Sequence, residues 1–152
     1  VSKQAKPIII STGMSTMEEI SNAINIVESE GNNKIILLHC ISIYPPAYRD
    51  INLNNIKMLQ KTFNYPVGFS DHSIGTSIPL SSVALGACVI EKHFTIDKNL
   101  PGRDNLNAIL PEDLKSLNEF RLSFEKMNIE RGLDLQDQEL DIYNNYRGRW
   151  GG

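Results

Sequence analysis

Little in this chain points to a membrane, to nucleic acid or to an oxidising compartment. No apolar run approaches the roughly 18–20 residues that span a bilayer, and the stretch Val1 to Pro7 has no signal-peptide core. Positive charge is not in excess: 15 Lys and Arg against 18 Asp and Glu leave a net charge of −3. No basic stripe exists for a phosphodiester backbone, and Arg147 with Arg149 reads as a solvated tail. Cysteine is scarce. The two present, Cys40 and Cys88, sit in apolar runs and read as reduced core thiols. These absences point to a cytoplasmic protein that binds neither membrane nor nucleic acid. The 152 residues are one domain's worth of core, and the lack of an initiator methionine reads as a piece of a longer chain.

What is present is a repeated unit. Ile8-Ile9-Ile10 is a short apolar run ending in Ser11-Thr12-Gly13, the pattern of a fully buried strand. Thr16-Met17-Glu18-Glu19 forms a capping box, Ile20, Ala23, Ile24 and Val27 follow at helical spacing, and Gly31-Asn32-Asn33 stops that helix. Ile35 to Leu38 is the next strand, ending in His39-Cys40, and Tyr44-Pro45-Pro46 keeps the following loop from being helical. Leu53, Ile56, Leu59 and Phe63 make one face of a second helix. Pro66 to Phe69 leads into Ser70-Asp71-His72, a helix spans about Thr76 to Leu85, and Cys88 to Glu91 is the fourth strand. Pro111, Glu112 and Asp113 open a long helix whose apolar face is Leu114, Leu117, Phe120, Phe124 and Met127. Beyond Asn128 the chain is polar, with a weak helical pattern over Glu139 to Tyr146. The fold class is α/β: four βα units with parallel strands and right-handed crossovers, an open sheet or half of an eight-fold (TIM-type) barrel.

Chemistry gathers where two apolar runs end in histidine, His72 and His93. Parallel strand ends lie side by side at the edge where α/β sheets bind ligands. Two imidazoles there suit a divalent transition metal acting as a Lewis acid, and spacing alone leaves open separate hydrogen-bonding roles. His39, between Leu38 and Cys40, reads as a satisfied core histidine. Ser11-Thr12-Gly13, Ser70 and Gly75-Thr76-Ser77 bring hydroxyls and free N–H groups to the same mouth, which suits phosphate oxygens but equally suits ordinary caps. Glu91 and Lys92 fall on alternate faces of their strand, so at most one points into the mouth. Asp104 beside Arg103 reads as a surface ion pair, and Tyr44 as a packing residue.

Taken together, Ile10-Ser11-Thr12-Gly13-Met14, Leu38-His39-Cys40, Tyr44-Pro45, Asp50-Ile51-Asn52-Leu53, Gly68-Phe69-Ser70-Asp71-His72 and Glu91-Lys92-His93-Phe94-Thr95 occur in an order and spacing that resembles the catalytic domain of the sialic acid synthase family. That family comprises N-acetylneuraminate synthase and its legionaminate and pseudaminate relatives, and the match runs from Lys6 to about Leu122. The resemblance implies strands five to eight of the barrel over residues 1–128. Residues 129–152 would be a polar tail or linker toward an antifreeze-like domain. It further implies condensation of phosphoenolpyruvate with an N-acetylated aminosugar of the N-acetylmannosamine type, giving a nine-carbon sialic acid and phosphate. By resemblance His72 and His93 hold a divalent metal, usually manganese, and with Asp104 form the catalytic set. Ser11 and Ser70 match phosphoenolpyruvate-binding positions, while Ser42, Tyr44 and Asp104 match sugar contacts. A homo-oligomer, a dimer, is the expected assembly.

Two departures bear on the sugar: Ser42 stands where some members have Asn, and Gly102-Arg103-Asp104 replaces Gly-Pro-Asp. The family's phosphoenolpyruvate-binding lysines belong to the other barrel half, so this chain alone is expected to have little or no synthase activity. Two other readings are a half-barrel binding or assembly module and an aldolase-type lyase. The second would need a Schiff-base lysine, for which Lys92 is the strand-end candidate.

Overall fold

Each apolar run of the sequence becomes a strand, and each capped amphipathic stretch becomes the helix that returns the chain to the next one. The computed structural model describes residues 1–149. Strands β1 (Ile8–Ser11), β2 (Ile35–Cys40), β3 (Val67–Asp71) and β4 (Ile90–Lys92) alternate with helices α1 (Met17–Ser29), α2 (Asn54–Phe63), α3 (Ser77–Ala84) and α4 (Pro111–Met127). A short helix α5 (Leu140–Tyr146) follows. The strands lie in chain order, every neighbouring pair parallel, in a sheet curled as half of a barrel.

Local chemistry explains the element ends. The Thr16 hydroxyl accepts from Glu19 N at 3.2 Å while Thr16 N donates to Glu19 Oε2 at 2.7 Å, satisfying two free donors at the start of α1. Helix α2 ends at Asn64, whose left-handed φ of 54° turns the chain toward β3. The core lies between the sheet's convex face and the helices: Ile20, Ile24 and Val27 of α1 and Ile56 and Leu59 of α2 pack on Ile35, Leu37, Val67 and Phe69. The alternation of strand side chains leaves Ile9, Ser11, Leu38, Cys40, Gly68, Ser70 and Glu91 for the concave face.

Four expectations change. β1 is not fully buried: its burial alternates and Ile9 is 52% exposed, because β1 is an edge strand whose second side chain meets the open concave face. Cys88 is exposed, not in the core. It precedes β4, which starts at Ile90, although Cys88 N still donates to Val67 O at 2.9 Å. Helix α4 buries no residue fully, so its apolar stripe is only partly covered. An open groove of about 650 Å³, lined by Val83, Cys88, Ile90, Phe94, Leu117 and Phe124, runs along that stripe. Arg103 and Asp104 form no ion pair among the described residues.

The weak helical pattern after Glu139 is α5, with Arg147 stacked 4.5 Å from the Tyr143 ring centre. The tail expected over 129–152 extends past the described residues at its last three positions. Among the described residues, no helix is long and apolar enough to cross a membrane.

Candidate active site

Parallel pairing brings the ends of β3 and β4 into register, Ser70 opposite Glu91 and Asp71 opposite Lys92, so the next residue on one strand, His72, and the next on the other, His93, emerge together. Their ring centroids are 5.5 Å apart. His72 is buried and its Nδ1 donates to the Ile41 carbonyl at 3.0 Å. A carbonyl oxygen can only accept, so Nδ1 carries the proton and the Nε2 lone pair is left available. Cys40 Sγ lies 3.9 Å from the same Nδ1.

Tyr44, from the loop after β2, covers this pair. Its ring centroid is 4.0 Å from that of His72 and 5.9 Å from that of His93, yet the residue is 48% exposed. It belongs to the mouth, not to the core. Partial burial, with the nearby Cys40 thiol and the Asp104 and Glu91 carboxylates, pushes its phenol pKa above the ordinary value. Asp104 belongs to the long loop that follows β4. The loop is anchored by Ile109 N donating to His93 O at 2.8 Å and Thr95 N donating to Ile109 O at 3.0 Å. Asp104 itself is exposed, and its carbonyl accepts from Asn107 N at 3.0 Å.

Ser70 is buried and donates to Glu91 Oε1 at 2.7 Å. Ser11 is exposed at the end of β1, and Ser42 reaches toward Cys40 Sγ at 3.8 Å. The structure therefore gathers His72, His93 and Tyr44 tightly, with Ser42 joined to them through Cys40 and Ser70 two residues before His72. Ser11 is farther along the sheet, on β1.

His39 is a core residue as its neighbours suggest: 3% exposed, stacked on Phe69, with Nε2 donating to the Ile51 carbonyl at 2.7 Å. Lys92 is unsuited to Schiff-base chemistry. Its side chain is 2% exposed and its Nζ donates to Asp71 Oδ2 at 2.6 Å, on the sheet face opposite Glu91, whereas an imine-forming amine must be free and reach the mouth.

Sequence reasoning did not single out Asp71 and Ser73, which hold that lysine; the signal was there in Asp-His and Lys-His at matching strand ends. Two nitrogen donors fit a divalent cation whose remaining positions are filled by oxygens from outside the protein. No trio of His, Cys, Asp or Glu among the described residues forms a complete cage.

The chain is similar to several known proteins over most of its length. The N,N'-diacetyllegionaminic acid synthase of Legionella pneumophila is 48% identical over 115 residues, covering 73% of this chain and 32% of its own length. A pseudaminic acid synthase of Campylobacter jejuni is 39% identical over 140 residues, 92% of this chain and 41% of its own. The crystal structure of N-acetylneuraminic acid (sialic acid) synthetase from Leptospira borgpetersenii superposes with a TM-score of 0.82 at 35% identity, covering 96% of this chain and 52% of that one. The chain thus spans between a third and about half the length of these relatives. Residues 1–130 match the NeuB family, and the chain belongs to that family of sialic, legionaminic and pseudaminic acid synthases.

Proposed function

We propose that this chain supplies the metal-bearing half of a synthase barrel that condenses phosphoenolpyruvate with an N-acetylated aminosugar, of the N-acetylmannosamine type, to a nine-carbon sugar acid and phosphate. The observation that carries the reading is the His72–His93 pair, 5.5 Å apart at adjacent strand ends, with the His72 tautomer set by the Ile41 carbonyl. In this reading the two rings hold a divalent cation, Mn2+ by preference. The chemistry such a cation supplies is Lewis-acid polarisation of a carbonyl. Tyr44 and Asp104 orient the open-chain sugar from the loop side, with Ser42 behind them. Ser11 and Ser70 meet the phosphoenolpyruvate oxygens. Ser70 must release its proton from Glu91 to donate to an anion, which makes that hydroxyl a two-position rotor. The reading brings with it a dimeric cytoplasmic enzyme.

Lys92 is committed to Asp71, so it offers no positive charge to a doubly ionised phosphate in the mouth. The chain alone is accordingly proposed to turn over little substrate, and to act when a complementary half supplies cationic groups. A chimera tests this: residues 6–122 replace the matching segment of the Legionella pneumophila synthase. Formation of a sugar acid and phosphate, lost on His72→Ala or His93→Ala, is the expected result. A folded chimera that binds Mn2+ but forms no sugar acid from any N-acetylated aminosugar offered would overturn the reading.

A second reading, a half-barrel assembly module, is favoured by the two unpaired edges of the sheet, β1 and β4. Sedimentation of the full chain tests it: a monomer at high concentration argues against self-assembly.

A further inference from the structure

We propose that the Lys92–Asp71 ion pair is a positioning clasp that sets the spacing of His72 and His93 and thereby the affinity of their cation site. The proposal rests on reading the two histidines as cation ligands.

Each charged residue immediately precedes one of the histidines, and the two are the last paired residues of the β3–β4 ladder. Beyond that pair the ladder stops and both strands run into loops. There the clasp takes over. Lys92 Nζ donates to Asp71 Oδ2 at 2.6 Å and to the Ser73 carbonyl. Asp71 in turn accepts from Ser73 N on Oδ1 and from Ser73 Oγ on Oδ2, both at 2.9 Å. His72 therefore sits between two anchored residues, Asp71 and Ser73, and His93 follows an anchored Lys92.

Stability alone is a weak reason for such a pair. The two side chains are 2% and 0% exposed, and a buried ion pair can often be replaced by apolar groups of similar volume without loss. What the apolar replacement cannot supply is direction: three donors of the ammonium and two carboxylate oxygens fix where each strand end points. Groups that orient ligands from behind commonly change metal affinity by about 10–100-fold when removed.

The clasp is tested on the full chain by titrating Mn2+ and following the free-ion electron paramagnetic resonance signal, with thermal unfolding measured in parallel. Asp71→Leu with Lys92→Met removes both charges together. It is expected to keep the unfolding midpoint near that of the unsubstituted chain while weakening Mn2+ binding by about tenfold. Ser73→Ala, which deletes one hydrogen bond to Asp71 and leaves the packing intact, covers the case in which the double variant does not fold. Its expected loss is about threefold, a fraction of that range. His72→Ala and His93→Ala serve as controls.

If the histidine variants lose Mn2+ while every folded clasp variant binds it like the unsubstituted chain, the clasp is wrong and the cation site stands. If the unsubstituted chain takes up no Mn2+, or the histidine variants bind as it does, the cation reading fails and the clasp fails with it.

Discussion

His72 and Ile41 form the hydrogen bond on which the site's chemistry turns: imidazole Nδ1 to a main-chain carbonyl, 3.0 Å. One ring nitrogen is used to hold the ring and the other is left to bind. Asparagine and glutamine separate these two uses, since the asparagine amide overlies Nδ1 and the glutamine amide overlies Nε2. His72→Asn should keep the Ile41 contact and lose Mn2+ affinity by about 100-fold, whereas His72→Gln, with an oxygen or nitrogen at the binding position, should lose less. Isothermal titration with Mn2+ distinguishes them, and equal losses would argue against Nε2 as the ligand atom.

Gly68 of β3 has no room for a side chain. A Cβ there would stand 2.5 Å from the Val89 carbonyl oxygen and 2.6 Å from Leu38 Cδ2. One of those atoms is main chain and cannot rotate away. Gly68→Ala is expected to destabilise the fold by about 1–3 kcal/mol, seen as a lower urea midpoint with an unchanged slope.

Asp71 and Lys92 predict opposite outcomes for single and double replacement. Asp71→Ala alone strands a buried ammonium and should cost about 3–5 kcal/mol, while the charge-free double variant should recover most of it. Chemical denaturation of the single and double variants measures the difference, and equal stability in all of them would mean that the pair is solvated.

His39 gives the fold a pH dependence of definite sign. Burial pushes its imidazole below the ordinary 6.5, an effect larger than the opposing pull of the Ile51 carbonyl, which favours the charged ring. The folded chain keeps the ring neutral where the unfolded chain has already taken up a proton. Stability from this residue is therefore complete above about pH 6.5 and falls as pH drops from there toward the depressed folded value. Urea midpoints measured between about pH 7.5 and 5 should decline, and His39→Gln should flatten that slope while lowering the whole curve.

Much of the site is legible in the sequence. Strand-end histidines, the capping box at Thr16 and the alternation of Glu91 with Lys92 are local patterns, and backbone geometry obliges them to appear where they do. Tyr44 was harder to read. Between Ile43 and Pro45 it has the setting of a packing residue, and only the loop's return across β3 brings its ring onto His72. Ile9 is exposed because an apolar run in sequence does not reveal that its strand lies at a sheet edge, and Cys88 because it falls ahead of β4, not within it.

The order of strands and helices, the core face of α1 and α2, and the family's motifs were set by the sequence alone, because hydrophobic periodicity and caps act over a few residues. Tertiary structure decided that Tyr44 lies over the histidine pair, and which hydroxyl is already engaged by a carboxylate. It also decided that Asp71 and Lys92, 21 residues apart, meet behind the site. Those outcomes depend on register between strands distant in the chain, and register is fixed only when the whole sheet closes on its helices.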